Sequence, residues 1–272
     1  MQVRRTGPHA RLGASSPRAV IRRYTAAGAV ATMAGALTLV SPAAPASATP
    51  LATATFSGHA TSEILETFGA VGPPGTLAVR VDVGPATANV SRNASSATAS
   101  NLLAKITGPP AINVQTLTAS APPPQTVGPT TLIPIPAAPL LDVKLLTGQA
   151  TASWPKVGTC PAATVPASLG SVTTAAATIG GLGADLPSLI RTSVATTQST
   201  TQLVSASGPA GTDTRAVQAR ATNTISSIDL FGGGGSGKPG ITITINKAPT
   251  LTGLATGSTA TSKLTFSPVG EP

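Results

Sequence analysis

The 272-residue chain has 17 Lys and Arg against 8 Asp and Glu, a formal charge of +9. Six of those cations lie at or before Arg23; beyond it eleven face all eight acids, a net of +3, and they are scattered singly from Arg80 to Lys263. With aromatics at 2% there is neither a basic stripe nor a set of rings for bases to stack on, which excludes nucleic-acid binding.

The first 48 residues read as an export signal. Arg4, Arg5, Arg11, Arg18, Arg22 and Arg23 precede an uncharged run, Ala26–Val40, and Ser41–Ala48 follows with small residues at Ala46 and Ala48. That is the order of a cleavable signal peptide, with cleavage expected after Ala48. The run of about 15 residues falls short of the about 20 that a membrane helix needs, so no stable span is expected after cleavage. Arg22-Arg23 leaves the general secretory and twin-arginine routes open; Tyr24-Thr25 fits a twin-arginine signal loosely, which favours the general route. Cys160 is the only cysteine, so no intramolecular disulfide can form. Its expected place is a small buried or half-buried site beside Pro161, with an intermolecular bridge as the alternative.

Beyond residue 48 the pattern is that of β-strands. Leu51–Ile64 alternates small apolar residues with Thr and Ser, and Gly72-Pro73-Pro74-Gly75 makes a turn. In Leu77–Val83 the apolar residues Leu77, Val79, Val81 and Val83 face one way and Arg80 and Asp82 the other, predicting one buried and one wet face. Ala86–Ile106 is read as strand or paired strands, because Ser, Thr and Asn compete for the helical backbone while Thr and Val favour extension. Gly108–Pro110 turns the chain into Ile112–Leu117. Ala121–Pro139 carries seven prolines and is a linker or an extended cover strand. Leu140–Trp154 resumes the strand pattern. Asp185-Leu186-Pro187 suits either a helix cap or a loop. Ser193–Ser205 and Thr214–Phe231, separated by Gly208–Gly211, predict a long hairpin. Ala216–Phe231 is further expected to pair antiparallel with Ile241–Asn246 across an exposed loop, Gly232–Gly240. Ala97–Val114 and Ala221–Ile243 form a weak internal repeat in which a small-residue strand, a turn and a second strand follow one another.

The sum is an all-β fold: a layered, antiparallel, sandwich-like domain of small-residue strands over 49–272, divisible into 51–120 and 140–266 joined by the Pro-rich 121–139. Its core must be built from Val, Leu, Ile, Ala and the Thr methyl.

Chemical motifs are few. Gly232–Lys238 matches the start of a phosphate-binding loop, but Pro239 stands where the metal-binding hydroxyl belongs, and Ile241–Ile245 continues as a strand where a helix is needed to present its amides. No nucleotide site is expected. His59 is the sole histidine beyond the signal; its nearest acids are Glu63 and Glu66, and no second histidine is present for a metal. Asp82, Asp142, Asp185, Asp213 and Asp229 stand isolated along the chain, so no calcium loop is expected. No catalytic, cofactor or metal residues are therefore assigned.

From Leu51 onward the Ala/Thr-rich strands, the central Pro-rich stretch, RTSVATTQSTTQLV (191–204), RAVQARATNTISSIDLFGG (215–233) and ITITIN (241–246) resemble the actinobacterial secreted proteins grouped as choice-of-anchor surface proteins. The resemblance implies an exported, β-rich cell-surface or extracellular protein without assigned enzymatic activity. Phe266–Pro272 shows neither a sorting signal nor a hydrophobic tail, which leaves open release or non-covalent association with the wall.

The expected function is thus a non-enzymatic structural or adhesive role outside the cell, with cell-wall polymers or other surface proteins as partners. Exposed Thr196, Thr197, Thr200 and Thr201 offer sites for O-glycans or for ordering water. The alternative is a wall-polysaccharide-binding module or hydrolase that uses Trp154 with Glu63 or Glu66.

Overall fold

A computed structural model describes residues 37–38, 55–70, 78–106, 112–113, 115–132, 135–137, 141–163, 165–180, 188–206, 215–232 and 240–269. Among them the chain is all-β and antiparallel, with no helix. Several expectations fall outside the described residues: cleavage at Ala46 and Ala48, the Arg22-Arg23 pair, the turns at Gly72–Gly75, Gly108–Pro110 and Gly208–Gly211, the Asp185–Pro187 cap, and the loop at 233–239.

The first half is a four-stranded meander whose strands are each broken at one level. Strands β2 (Ser57–Ser62), β5 (Ala86–Ser91), β6 (Ala94–Ser100) and β9 (Thr116–Ala121) lie side by side in that order, with β1 (Leu37–Thr38) beside β2. Their continuations β3 (Leu65–Ala70), β4 (Ala78–Val83), β7 (Leu102–Ile106) and β8 (Ile112–Asn113) form a second sheet in the matching order β3-β4-β7-β8. The breaks have local causes. Gly84 takes φ +61 and precedes Pro85, which lacks a donor. Asn101 is fully buried, and its side-chain Oδ1 accepts from Leu102 N (2.7 Å) and Gln115 N (3.0 Å). Across the break the backbone stays paired: Ile64 N to Val83 O and Gly84 N to Asn101 O, both 2.9 Å.

The second half repeats the device within one large sheet. The cover strands β10 (Gln125–Leu132) and β11 (Ile135–Ala137) both pair with β12 (Leu141–Ala152), and β12 pairs with β13 (Pro166–Ile179). Of the two readings of Ala121–Pro139, the cover strand is the one observed. β13 then pairs with both β14 (Ser188–Thr192) and β15 (Ala195–Ser205), the two parts of one broken strand. β15 forms the predicted hairpin with β16 (Arg215–Ile225), from Ala195↔Ile225 to Ser205↔Arg215. The expected single strand Ala216–Phe231 is, however, two. It breaks at Ser226, whose hydroxyl lies 2.7 Å from that of Ser193. Only the second part, β17 (Ser227–Gly232), pairs with β18 (Ile241–Thr244), while β16 pairs with β19 (Thr250–Ala255), which carries β20 (Lys263–Ser267) at the sheet edge.

The two halves pack face to face, β2, β5, β6 and β9 lying on β12, β13, β15 and β16. The interface is lined by small residues, including Ala60, Ala88, Ala97, Ala119, Ala150 and Ala219, all fully buried. At Gly170 a Cβ would sit 2.4 Å from Thr98 O and 2.5 Å from Thr87 O, so the backbone of the opposite sheet lies directly on this residue. Hydroxyls bond across the gap: Ser199 Oγ donates to Ala86 O (3.0 Å) and Ser168 Oγ to Asn89 O (2.9 Å). Where the space widens, Ile64, Leu132, Leu146 and Val172 fill one cluster, and Trp154, Leu203, Val90 and Val217 another.

The period of two also splits the threonines expected together on the surface. Thr197 and Thr201 are fully buried in the interface, and only Thr196 and Thr200 point outward, half-buried. On that outer face the register aligns Thr131, Thr147, Thr173, Thr196 and Thr224 in one rank across five strands. A parallel rank runs Thr126, Thr151, Leu169, Thr200, Arg220, Thr252, Thr265.

Candidate functional site

The densest chemistry in the described residues lies at the break between β2 and β3. Glu63 occupies the break itself, its carbonyl accepting from Asn223 Nδ2 at 2.6 Å. Glu66 on β3 stands directly opposite Asp82 on β4, and Arg80 is two residues before Asp82 on the same face. The register also sets Lys105 of β7 opposite Arg80. Strand pairing thus joins acids that are nearly twenty positions apart in sequence.

The expectation that Arg80 and Asp82 face water is overturned for Asp82. It is 2% exposed, with Glu66 at 4% and Glu63 at 8%. A face carrying charge can still be buried when its charges answer one another. Arg80 Nε donates to Asp82 Oδ1 at 2.6 Å and lies 2.9 Å from Glu66 Oε1, and its Nη2 is 3.6 Å from Glu63 Oε2. Donor oxygens of the three acids all lie within 4.8 Å of one another.

Electrostatics follow from this crowding. Burial, a hydrogen bond with the Glu66 carboxyl and the charges of Asp82 and Glu66 push Glu63 from 4.5 up to about 8, with Arg80 opposing. Partial burial works against the Arg80 guanidinium, but the hydrogen bond to Asp82 and the charges of Asp82, Glu63 and Glu66 raise it above its ordinary value. Near neutral pH the Glu63 carboxyl therefore favours its protonated form. Chemically the cluster can keep that proton, or exchange it for a cation.

The other residues singled out in the sequence are placed elsewhere. His59 lies on β2, its Nδ1 against Asn89 Oδ1 and its Nε2 3.4 Å from Thr61 Oγ1. On a strand, His59 and Glu63 do not share the helical face that would let them act together. Trp154 is fully buried in the second core cluster, 6.3 Å from the Phe56 ring, whereas Glu63 and Glu66 border the first. The alternative that joins Trp154 to those acids in a sugar cleft finds its aromatic turned into the core. Cys160 is free and half-buried. Sequence alone leaves Asp82 isolated because the acids that face it come from β3 and the strand break; the facing alternations of Leu65–Ala70 and Ala78–Val83 are the available signal.

Comparison of the chain with protein-family models, with curated proteins and with solved structures gives no match.

Proposed function

We propose that the protein is an exported, non-enzymatic cell-surface or extracellular protein with a structural or adhesive role, built as a layered sandwich-like domain that presents its outer faces to other molecules. The resemblance to choice-of-anchor surface proteins and the signal-like residues 1–48 belong to the same reading. The observation that carries it is the outer face of the β10–β12–β13–β15–β16 sheet. The rank Thr131–Thr147–Thr173–Thr196–Thr224 is wholly threonine, with Thr173 and Thr196 hydroxyls 3.0 Å apart. Arg220 is the one charge in the parallel rank. A regular array of hydroxyls and methyls offers hydrogen bonds and apolar contact to a polymer with repeating hydroxyls, such as a wall polysaccharide, without catalytic groups.

The test has two parts. Fractionation of the producing culture, with mass spectrometry of the mature N-terminus, should find the chain in medium or wall and beginning at Thr49. Sedimentation with insoluble wall polymer should show retention, which the double substitution Thr147→Lys with Thr196→Lys reduces at least tenfold. Recovery in the cytoplasm with an intact N-terminus sinks the proposal of export; binding unaffected by the two lysines sinks the role given to the threonine face.

A further inference from the structure

We propose that Glu63, Glu66 and Asp82 form a binding site for a hard divalent cation of the size of calcium, and that Arg80 is the resident competitor which the ion displaces. This site lies at the strand break and stands apart from both the threonine face and the question of export.

The donor set sets the class of ion. All three ligands are carboxylates, which suit calcium, magnesium or manganese; the zinc and copper preference for imidazole and thiolate is not served. Two oxygens bound to one calcium at about 2.4 Å each stand at most about 4.8 Å apart. The donor oxygens of Glu63, Glu66 and Asp82 all fall within that span. Magnesium, at about 2.1 Å, needs a tighter cage and gives up its waters reluctantly.

An acidic cluster alone does not make a site, since ion pairs with arginine account for many. Here a second observation points to a missing partner. The Glu63 side chain is 8% exposed and turned into the cluster, yet its Oε1 has no hydrogen-bond partner. Every other carboxylate in the group has a short contact to Arg80; Glu63 reaches it only at 3.6 Å. Asn223, whose Nδ2 holds the Glu63 backbone carbonyl, also carries a buried Oδ1 without a partner. An unpartnered buried acceptor is costly, and a cation seated among the three carboxylates would supply the partner that Glu63 Oε1 lacks.

Charge and mobility agree. Among the described side chains three carboxyl groups surround one guanidinium, so an ion that takes the place of the Glu63 proton meets an excess of acidic oxygens. Arg80 is 37% exposed, so its head can swing to water on its flexible stem while the buried acids stay in place. Binding is then an exchange of cations, with no change in the strands.

The experiment is a calorimetric titration of the full chain with CaCl2, repeated with MgCl2 and with NaCl at matched ionic strength, together with thermal unfolding followed by the emission of Trp154. Wild type should bind one calcium saturably and, at a hundredfold excess over Kd, melt roughly 5–10 °C higher than in chelator. Arg80→Gln removes the competitor: its calcium affinity should rise at least tenfold, and its melting point should fall in chelator and recover in calcium. Glu63→Gln should lose at least tenfold in affinity. Should Glu63→Gln fail to fold, wild type and Arg80→Gln decide between them. The proposal is overturned by either of two results: no saturable binding to wild type or Arg80→Gln up to about 10 mM, the weak end for extracellular calcium sites, or a stabilisation that NaCl reproduces. It is equally overturned if Arg80→Gln is destabilised alike in chelator and calcium, for Arg80 is then a plain structural counter-ion.

Discussion

Glu63 concentrates the tension in this molecule. It is a carboxyl placed where only a proton, a cation or the distant edge of Arg80 can answer it. The linkage has a definite sign. With Glu63 near 4.5 in the unfolded chain and about 8 in the folded one, the folded state holds the proton more tightly. Its contribution to stability is therefore complete below pH 4.5, shrinks as pH rises through the window from 4.5 to 8, and is gone above 8. In chelator, the stability of wild type minus that of Glu63→Gln should fall between pH 5 and pH 8 by a few kcal/mol, an order of magnitude set by about 1.4 kcal/mol per unit. Urea melts at three or four pH values measure it. A flat difference would mean that Glu63 is ionised in the fold throughout and that Arg80 neutralises it after all. At this scale the sequence was partly legible: Glu63 and Glu66 stood out by proximity, whereas Asp82 seemed solitary and wet. Alternation correctly put Arg80 and Asp82 on one side of β4. What alternation cannot reveal is whether that side meets water or another strand's acids.

The elements are organised by their interruptions. β2/β3, β4/β5, β6/β7 and β8/β9 are four long strands bent at one level, and β14/β15 and β16/β17 repeat the bend in the other half. Gly84-Pro85 advertised its break, since one residue takes positive φ and the next has no donor. Asn101 and Ser226 did not, because neither is a strong breaker; the hairpin Ser193–Ser205 with Thr214–Phe231 was readable from its length and turn, but its second strand was drawn too long by six residues, 226–231, five of which belong to β17. Asn101 acts through its side chain, supplying the acceptor that the interrupted ladder withholds from Leu102 N and Gln115 N. Asn101→Ala should then take an acceptor from two part-buried amides and cost about 1–3 kcal/mol. Hydrogen exchange would locate the loss, with faster exchange at Leu102 and Gln115 than in the β15–β16 hairpin. Uniform loss across both halves would show that Asn101 fills space and does not close the break.

For the molecule as a whole, the governing quantity is the closeness of the two halves. Composition predicted a core of Val, Leu, Ile, Ala and the Thr methyl, and the buried clusters use the first four together with Trp154; no pattern in one strand could show that Ser and Gly also line the interface and let two backbones meet. Face-to-face sheets ordinarily stand about 10 Å apart, a gap filled by branched side chains. Here Gly170 lies against the carbonyls of Thr87 and Thr98, and Ser168 and Ser199 spend their hydroxyls on main-chain oxygens of the other half. The large buried apolar groups gather in two clusters, one holding Ile64 and Leu146 and the other Trp154 and Leu203. A methyl at position 170 has nowhere to go, since both obstructing atoms are backbone, and neither can yield without moving its strand. Gly170→Ala should therefore destabilise by at least about 1–3 kcal/mol, the ordinary cost of overpacking, where a strand glycine with open space would gain up to about 1 kcal/mol from the same change. Ser171→Ala, the next residue and on the outer face, supplies the control and should stay within about 0.5 kcal/mol of wild type. Equal small effects at 170 and 171 would mean that the halves can part slightly at no cost. Their spacing would then be set by the large residues of the two clusters, and the hydroxyl bonds across the gap would be adaptable contacts.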